Sequence, residues 1–179
     1  MKPTETYMAK QRKCIKDNFR YAKSWKKDKN LKVRYEALAS FIKPYKKTLS
    51  VGSGGAEPFI INSSDACDVC SDSGDYLKKL GWKGVFINCF SDDLIYPRKS
   101  FDAVVCSEVI EHLPTINLVL RTIFEINRVG KRWLITTPNK VILDPGHVFF
   151  FTLDELKALF APFKCTIKSK GIHYYISND

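Results

Sequence analysis

The feature that most constrains the fold is a glycine-rich turn, Gly52-Ser53-Gly54-Gly55, entered directly from the short apolar run Thr48-Leu49-Ser50-Val51. Glycines at such a place allow left-handed backbone and let the chain pass close to a ligand. Beyond the turn, short apolar runs alternate with helix-periodic ones. Strands are expected at 66–70, 84–90, 101–107 and 132–138, and helices at 56–62, 73–81, directly after 107, and over 116–127. Strands alternating with helices imply an α/β fold with a doubly wound, mostly parallel sheet. Thr152 with Glu155 three residues later forms a capping box for a helix to Leu159. The final run, 165–177, alternates about Lys170-Gly171 and reads as a hairpin that adds an antiparallel strand. Ligands of such sheets bind at the carboxyl ends of the strands, where the glycine turn lies.

With 179 residues, 45% of them apolar, the chain is expected to be globular with a core of its own. No run has the 18 or so apolar residues of a membrane span, and no apolar stretch follows the basic N-terminus as in a secretory signal, so a cytoplasmic location is expected. Cys67 and Cys70 form a CxxC without a second pair at zinc-site spacing, which favours a strand with small apolar residues. Cys89 and Cys106 sit in apolar runs and read as core thiols in a reducing compartment. The net charge of +10 is uneven: residues 1–47 hold 15 Lys or Arg against 4 Asp or Glu. Within that segment, Leu31, Tyr35, Leu38, Ala39 and Ile42 form one apolar stripe of a helix ended by Pro44. The chain therefore divides into a basic helical segment, 1–47, and a main domain, 48–179. The segment reads either as a solvated helix face or as a surface that steers an anionic partner such as RNA, a phosphorylated sugar or a membrane surface. Phe19, Tyr21 and Trp25 either stack on bases or pack on the domain.

In the run from Gly52 to Glu57, the sixth place, where a nicotinamide-binding turn wants a small residue, is glutamate. Thr48–Glu57, TLSVGSGGAE, instead resembles motif I of the class I S-adenosylmethionine-dependent methyltransferases. That resemblance implies a Rossmann-like methyltransferase fold with S-adenosylmethionine held at Ser50, Gly52, Ser53, Gly54 and Gly55. It departs at Ser50, where the family has an acidic residue that helps to fix the methionine part of the cofactor. The family's ribose-binding carboxylate falls on Asp68, with Asp72 second. Its adenine-reading acidic position falls on Phe90, followed by Ser91 and Asp92, and Ser107 completes the expected cofactor set.

The run Phe101–Leu113, FDAVVCSEVIEHL, is the most specific in the chain. Glu108, Glu111 and His112 stand at i, i+3 and i+4, one face of the helix expected after the fourth strand. Two carboxylates and an imidazole there suit a divalent cation such as Mg²⁺, with His147 as a further ligand. The run resembles ubiquinone-type O-methyltransferases, a likeness that continues through LITTPN and GHVFFFTLDELKALF. The small-RNA 3′-terminal 2′-O-methyltransferases are similar in their ExxEH cluster. Glu108, Glu111 and His112 are therefore the expected catalytic residues. Without metal, His112 reads as a general base or a core residue. The resemblance implies methylation of a hydroxyl on a small polar molecule or glycan, or on the 2′-oxygen of RNA. Ser50 and Phe90 leave open a methyltransferase-like binding protein without activity.

Overall fold

The computed structural model describes residues 5–178 except Lys23, Gly55 and Pro145, and in the first helix it leaves the side chains of Tyr7, Cys14, Asp17, Asn18, Arg20 and Tyr21 undescribed. The expectations for Gly55 and for the Tyr21 ring lie outside the described residues.

Seven strands form one sheet: β1 (Thr48–Val51), β2 (Asp65–Asp68), β3 (Val85–Asn88), β4 (Phe101–Ser107), β5 (Gly130–Pro138), β6 (Thr166–Lys170) and β7 (His173–Ser177). Their order is β3-β2-β1-β4-β5-β7-β6. β1 to β5 pair in parallel, and β7 runs antiparallel to both β5 and β6. This is the expected α/β, doubly wound, mostly parallel sheet closed by a hairpin. The helices are α1 (Glu5–Tyr21), α2 (Lys29–Ile42), α3 (Glu57–Ile61), α4 (Asp72–Leu80), α5 (Ile116–Val129) and α6 (Leu153–Phe160). Among the described residues no helix is long and apolar enough to cross a membrane.

Alternation along the strands separates two apolar layers. Leu49, Val51, Val104, Cys106 and Ile135 meet α5 and α6 in the larger core, around fully buried Trp133. Ala103, Val105 and Leu134 face the other way, onto Tyr35, Leu38 and Ile42 of α2 and Ile61 of α3. From the predicted stripe of α2, Leu31 and Ala39 are only partly buried. α5 buries Val119, Thr122, Ile123, Ile126 and Val129 at helical spacing, and Thr115 caps it by accepting from Leu118 N. The capping box of α6 is present, with Thr152 N donating to Glu155 Oε2 at 2.8 Å.

The stretch after β4 differs from expectation. Glu108 has left-handed backbone, φ 56°, and only Ile110–His112 coils, as one 3-10 turn. Pro114 accounts for the end of the turn, because Leu113 before it is extended, and the left-handed Glu108 keeps a helix from starting at the end of β4.

Candidate active site

At the carboxyl ends of β1, β2 and β4 lies a cavity of about 980 Å³, roofed by α1 and α2. Its first wall is the glycine turn. Gly52 N and Ser53 N both donate to Cys67 O, at 2.9 and 3.2 Å, which ties the turn to β2. Asp68 ends β2. Its carboxylate accepts from Cys70 N at 2.8 Å, Gly54 N at 3.2 Å and Ser53 Oγ at 3.4 Å. Burial raises the Asp68 pKa, and the N–H groups of Cys70 and Gly54 oppose that rise. Asp72, the second candidate at this place, instead sits on α4 with its carboxylate 3.8 Å from Arg12 Nε.

Gly52 has φ 69°, and a Cβ there would lie 2.3 Å from Cγ2 of Val109. Gly52→Ala therefore combines left-handed strain with overpacking against a stiff side chain. It is expected to destabilise the protein by roughly 2–4 kcal/mol. Adding Val109→Ala should return the steric part. Urea unfolding measures both, and a wild-type midpoint for Gly52→Ala would contradict this turn geometry.

A buried polar group occupies the α2 side of the sheet. Ser50, fully buried, donates from Oγ to Glu57 Oε1 at 2.8 Å. Glu57 opens α3 and is itself buried. Burial pushes its pKa up to about 7, against the pull of Arg34 and of the Ser50 and Ser107 hydroxyls. Glu108 takes a different set of partners. Its Oε1 accepts from Thr136 Oγ1 at 2.9 Å, and its Oε2 lies 3.4 Å from His173 Nε2 and 3.5 Å from Arg34 Nη1. Burial would raise the Glu108 pKa, but His173 and Arg34 hold it below the usual range.

His112 and His147 line the cavity, and with the fully buried Glu111 they bring ligand atoms within 4.8 Å of one another. The His112 and His147 rings meet edge to face, centroids 4.6 Å apart. Glu111 O accepts from both Val148 N and Phe149 N, at 2.8 and 3.1 Å, which lays the loop after β5 against the 3-10 turn. Gly146 permits this close approach: a Cβ there would stand 2.9 Å from His112 Nδ1. Glu111 Oε2 accepts from Thr137 Oγ1 at 3.2 Å, while Glu111 Oε1 and His147 Nδ1 are buried without partners. Burial, then the nearby Glu108, raises the Glu111 pKa well above its usual value. Burial and His112 lower that of His147.

The expected four-residue convergence is thus corrected. Glu111, His112 and His147 come together, and Glu108 does not join them. Its left-handed backbone turns it toward Arg34 and His173. Of the remaining expected cofactor residues, Gly54, Phe90, Asp92 and Ser107 line the cavity, as does Ser91. Ser91 Oγ is 2.9 Å from Thr122 Oγ1, and Asp92 pairs with Arg121 at 3.3 Å. Ser50 does not line it and reaches it only through Glu57. Arg34, Glu57 and His173 escaped the reading of the sequence. Glu57 alone left a trace there, as the misfit in the sixth place of the glycine run.

Residues 49–134 match the sequence profile of a family described as a methyltransferase domain. No curated protein matches the chain in sequence. Among solved structures, the chain is similar to the PH0226 protein of Pyrococcus horikoshii (TM-score 0.64, 18% identity, 84% of this chain and 91% of that one). It is also similar to the 1,6-didemethyltoxoflavin-N1-methyltransferase of Burkholderia thailandensis, solved with 1,6-didemethyltoxoflavin and S-adenosylhomocysteine (0.66, 15%, 99% and 89%). A third is the magnesium protoporphyrin IX methyltransferase of Synechocystis, solved with S-adenosylhomocysteine (0.61, 12%, 80% and 80%). Over residues 49–134 the chain is similar to a methyltransferase domain, set in a sheet that shares the fold of the solved S-adenosylmethionine-dependent methyltransferases.

Proposed function

We propose that the protein is an S-adenosylmethionine-dependent O-methyltransferase that binds its cofactor along the glycine turn and Asp68 and receives the acceptor hydroxyl at His112. One observation carries this reading: the glycine turn, Asp68, His112 and His147 line one cavity, and Glu111 is clustered with the two imidazoles. S-adenosylmethionine bound there supplies a methyl group on a positively charged sulfur. The chain supplies alignment and removal of a proton. Asp68 offers its carboxylate to the ribose hydroxyls; its contact to Ser53 Oγ is the longest of its three and is the one that yields. Phe90, 41% exposed at the cavity wall, offers an apolar face to the adenine ring. The His112 imidazole takes the acceptor proton.

The Glu111–His112–His147 cluster also fits a divalent cation. Two of its ligand atoms, Glu111 Oε1 and His147 Nδ1, are buried and unpartnered. One carboxylate with two imidazoles suits a transition-metal ion better than Mg²⁺. An ion held by these three residues would lower the pKa of the acceptor hydroxyl.

The acceptor is a small polar molecule or glycan rather than RNA. The Phe19 ring packs on Tyr76 at 4.8 Å and Trp25 on Tyr35 at 5.5 Å, so neither is a free platform for a base. The segment 1–47 is then a cover over the cavity, with Gln11, Ile15 and Leu31 on its wall. Among the described residues, the five cysteines with free thiols fit a cytoplasmic setting.

Calorimetry with S-adenosylhomocysteine is the first test, and no binding would overturn the reading. Release of S-adenosylhomocysteine from S-adenosylmethionine, with a panel of hydroxylated small molecules and glycans, is the second. Metal-stripped protein is expected to bind one equivalent of Mn²⁺ and to lose it in Glu111→Gln. Undiminished turnover in excess chelator would remove the cation and leave His112 to act alone.

A further inference from the structure

We infer that Glu57 receives the ammonium group at the amino-acid end of the cofactor, in place of the acidic side chain missing from β1 at Ser50. This rests on the cofactor-binding reading above. Ser50 pairs with Val105 across β1 and β4. Strand alternation places it, with Ala103 and Val105, on the face covered by α2 and α3. Ser50 is small, which leaves room above it, and the Glu57 side chain folds back from α3 into that room to accept its hydroxyl at 2.8 Å. The carboxylate therefore stands at the end of β1, against the cavity, although its backbone lies beyond the glycine turn.

The charge balance says what is wanted there. Glu57 is only 5% exposed, and no described residue forms an ion pair with it; the nearby Arg34 makes its ion pair with Glu108 at 3.5 Å. A buried carboxylate held by hydroxyls alone is costly, and a ligand cation compensates it. Arg34 lines the same cavity, and its Nε is buried without an acceptor. An α-amino acid end carries both the ammonium that Glu57 calls for and a carboxylate suited to Arg34.

The test compares S-adenosylhomocysteine with 5′-methylthioadenosine, which has the same thioether nucleoside but no amino-acid end. Wild-type protein should bind S-adenosylhomocysteine the more tightly. Glu57→Gln is expected to weaken S-adenosylhomocysteine by about 10–100-fold, the scale of a lost charge-assisted hydrogen bond, and to leave methylthioadenosine unchanged. The double change Ser50→Asp with Glu57→Ser, which moves the carboxylate back to β1, should restore most of the loss.

A pH series gives an independent readout. The groups facing Glu57 are Arg34 and Tyr35 from α2, Cys106 and Ser107 from β4, and Glu108 after it. With its pKa near 7, Glu57 becomes neutral as pH falls and no longer attracts an ammonium. The wild-type preference for S-adenosylhomocysteine over methylthioadenosine should shrink as pH falls through about 7, and Glu57→Gln should show no such slope.

Equal binding of S-adenosylhomocysteine by wild type and Glu57→Gln would overturn the assignment. So would an equal loss for both ligands, which would make Glu57 a folding residue only. If the wild type binds neither ligand, the cofactor reading itself fails, and the assignment with it.

Discussion

Replacing His112 by alanine is expected to lower kcat by about 10²–10⁴-fold while S-adenosylhomocysteine still binds with wild-type affinity. The imidazole is not among the hydrogen-bond partners of the glycine turn or of Asp68, so its removal leaves those contacts alone. In the proposed function it is also the centre of the acceptor face. Its ring meets His147 at 4.6 Å, and its ligand atom shares a 4.8 Å cluster with Glu111. His147 does not substitute for it, because the loop after β5 holds that ring in place through the bonds of Val148 and Phe149 to Glu111 O. The loss should follow whether His112 takes a proton directly or shares an ion, since both routes need its nitrogen. Measuring kcat at saturating cofactor, together with S-adenosylhomocysteine affinity, separates chemistry from binding. Activity within tenfold of wild type would place the base elsewhere.

Trp133→Ala is expected to cost about 3–5 kcal/mol and to lower Tm by roughly 10 °C. Trp133 is fully buried on β5 and is the largest of the fully buried side chains among the described residues. Its ring stacks obliquely on Phe160 at 5.9 Å and meets Phe163 edge to face at 6.3 Å. Its Nε1 donates to Asn127 Oδ1 at 3.1 Å, so truncation leaves a cavity and also strands an acceptor. The damage should stay in the layer of α5 and α6. Residual folded protein is therefore expected to keep its S-adenosylhomocysteine affinity, because the turn and Asp68 stand on strands whose pairing does not pass through Trp133. Calorimetric melting tests the first claim, and a shift under about 3 °C would contradict it.

These expectations draw on features of unequal visibility in the sequence. Strand and helix placement were legible because alternation and helical spacing are local properties of the chain. β4 falls on the residues predicted, 101–107, and α6 begins at its capping box. The Glu111–His112–His147 cluster was legible only in part. The spacing of Glu108, Glu111 and His112 presupposed an α-helix, but the left-handed backbone at Glu108 and the extended Leu113 before Pro114 leave one 3-10 turn, which separates Glu108 from the other two. Arg34 and His173 could not be read at all. They reach Glu108 from α2 and β7, and no periodicity connects those elements to the end of β4. Glu57 is a subtler case. Position by position, Ser50 reads as a lost carboxylate, yet the side chain that meets its hydroxyl comes from seven residues further on.

The bonds from Val148 and Phe149 to the Glu111 carbonyl have a consequence for how such a protein changes over generations. They are backbone bonds, so they persist whatever side chains the loop carries. Asp144 and Ile142 of that loop look into the cavity, while Val141, Leu143 and Phe150 are largely exposed. Side chains there can be exchanged with little penalty to the sheet. The strand-built end, by contrast, tolerates little, as the Cβ-forbidden position of Gly52 shows. Under the proposed function, selection can thus retune the choice of acceptor by editing one loop, with the cofactor-binding turn kept as inheritance.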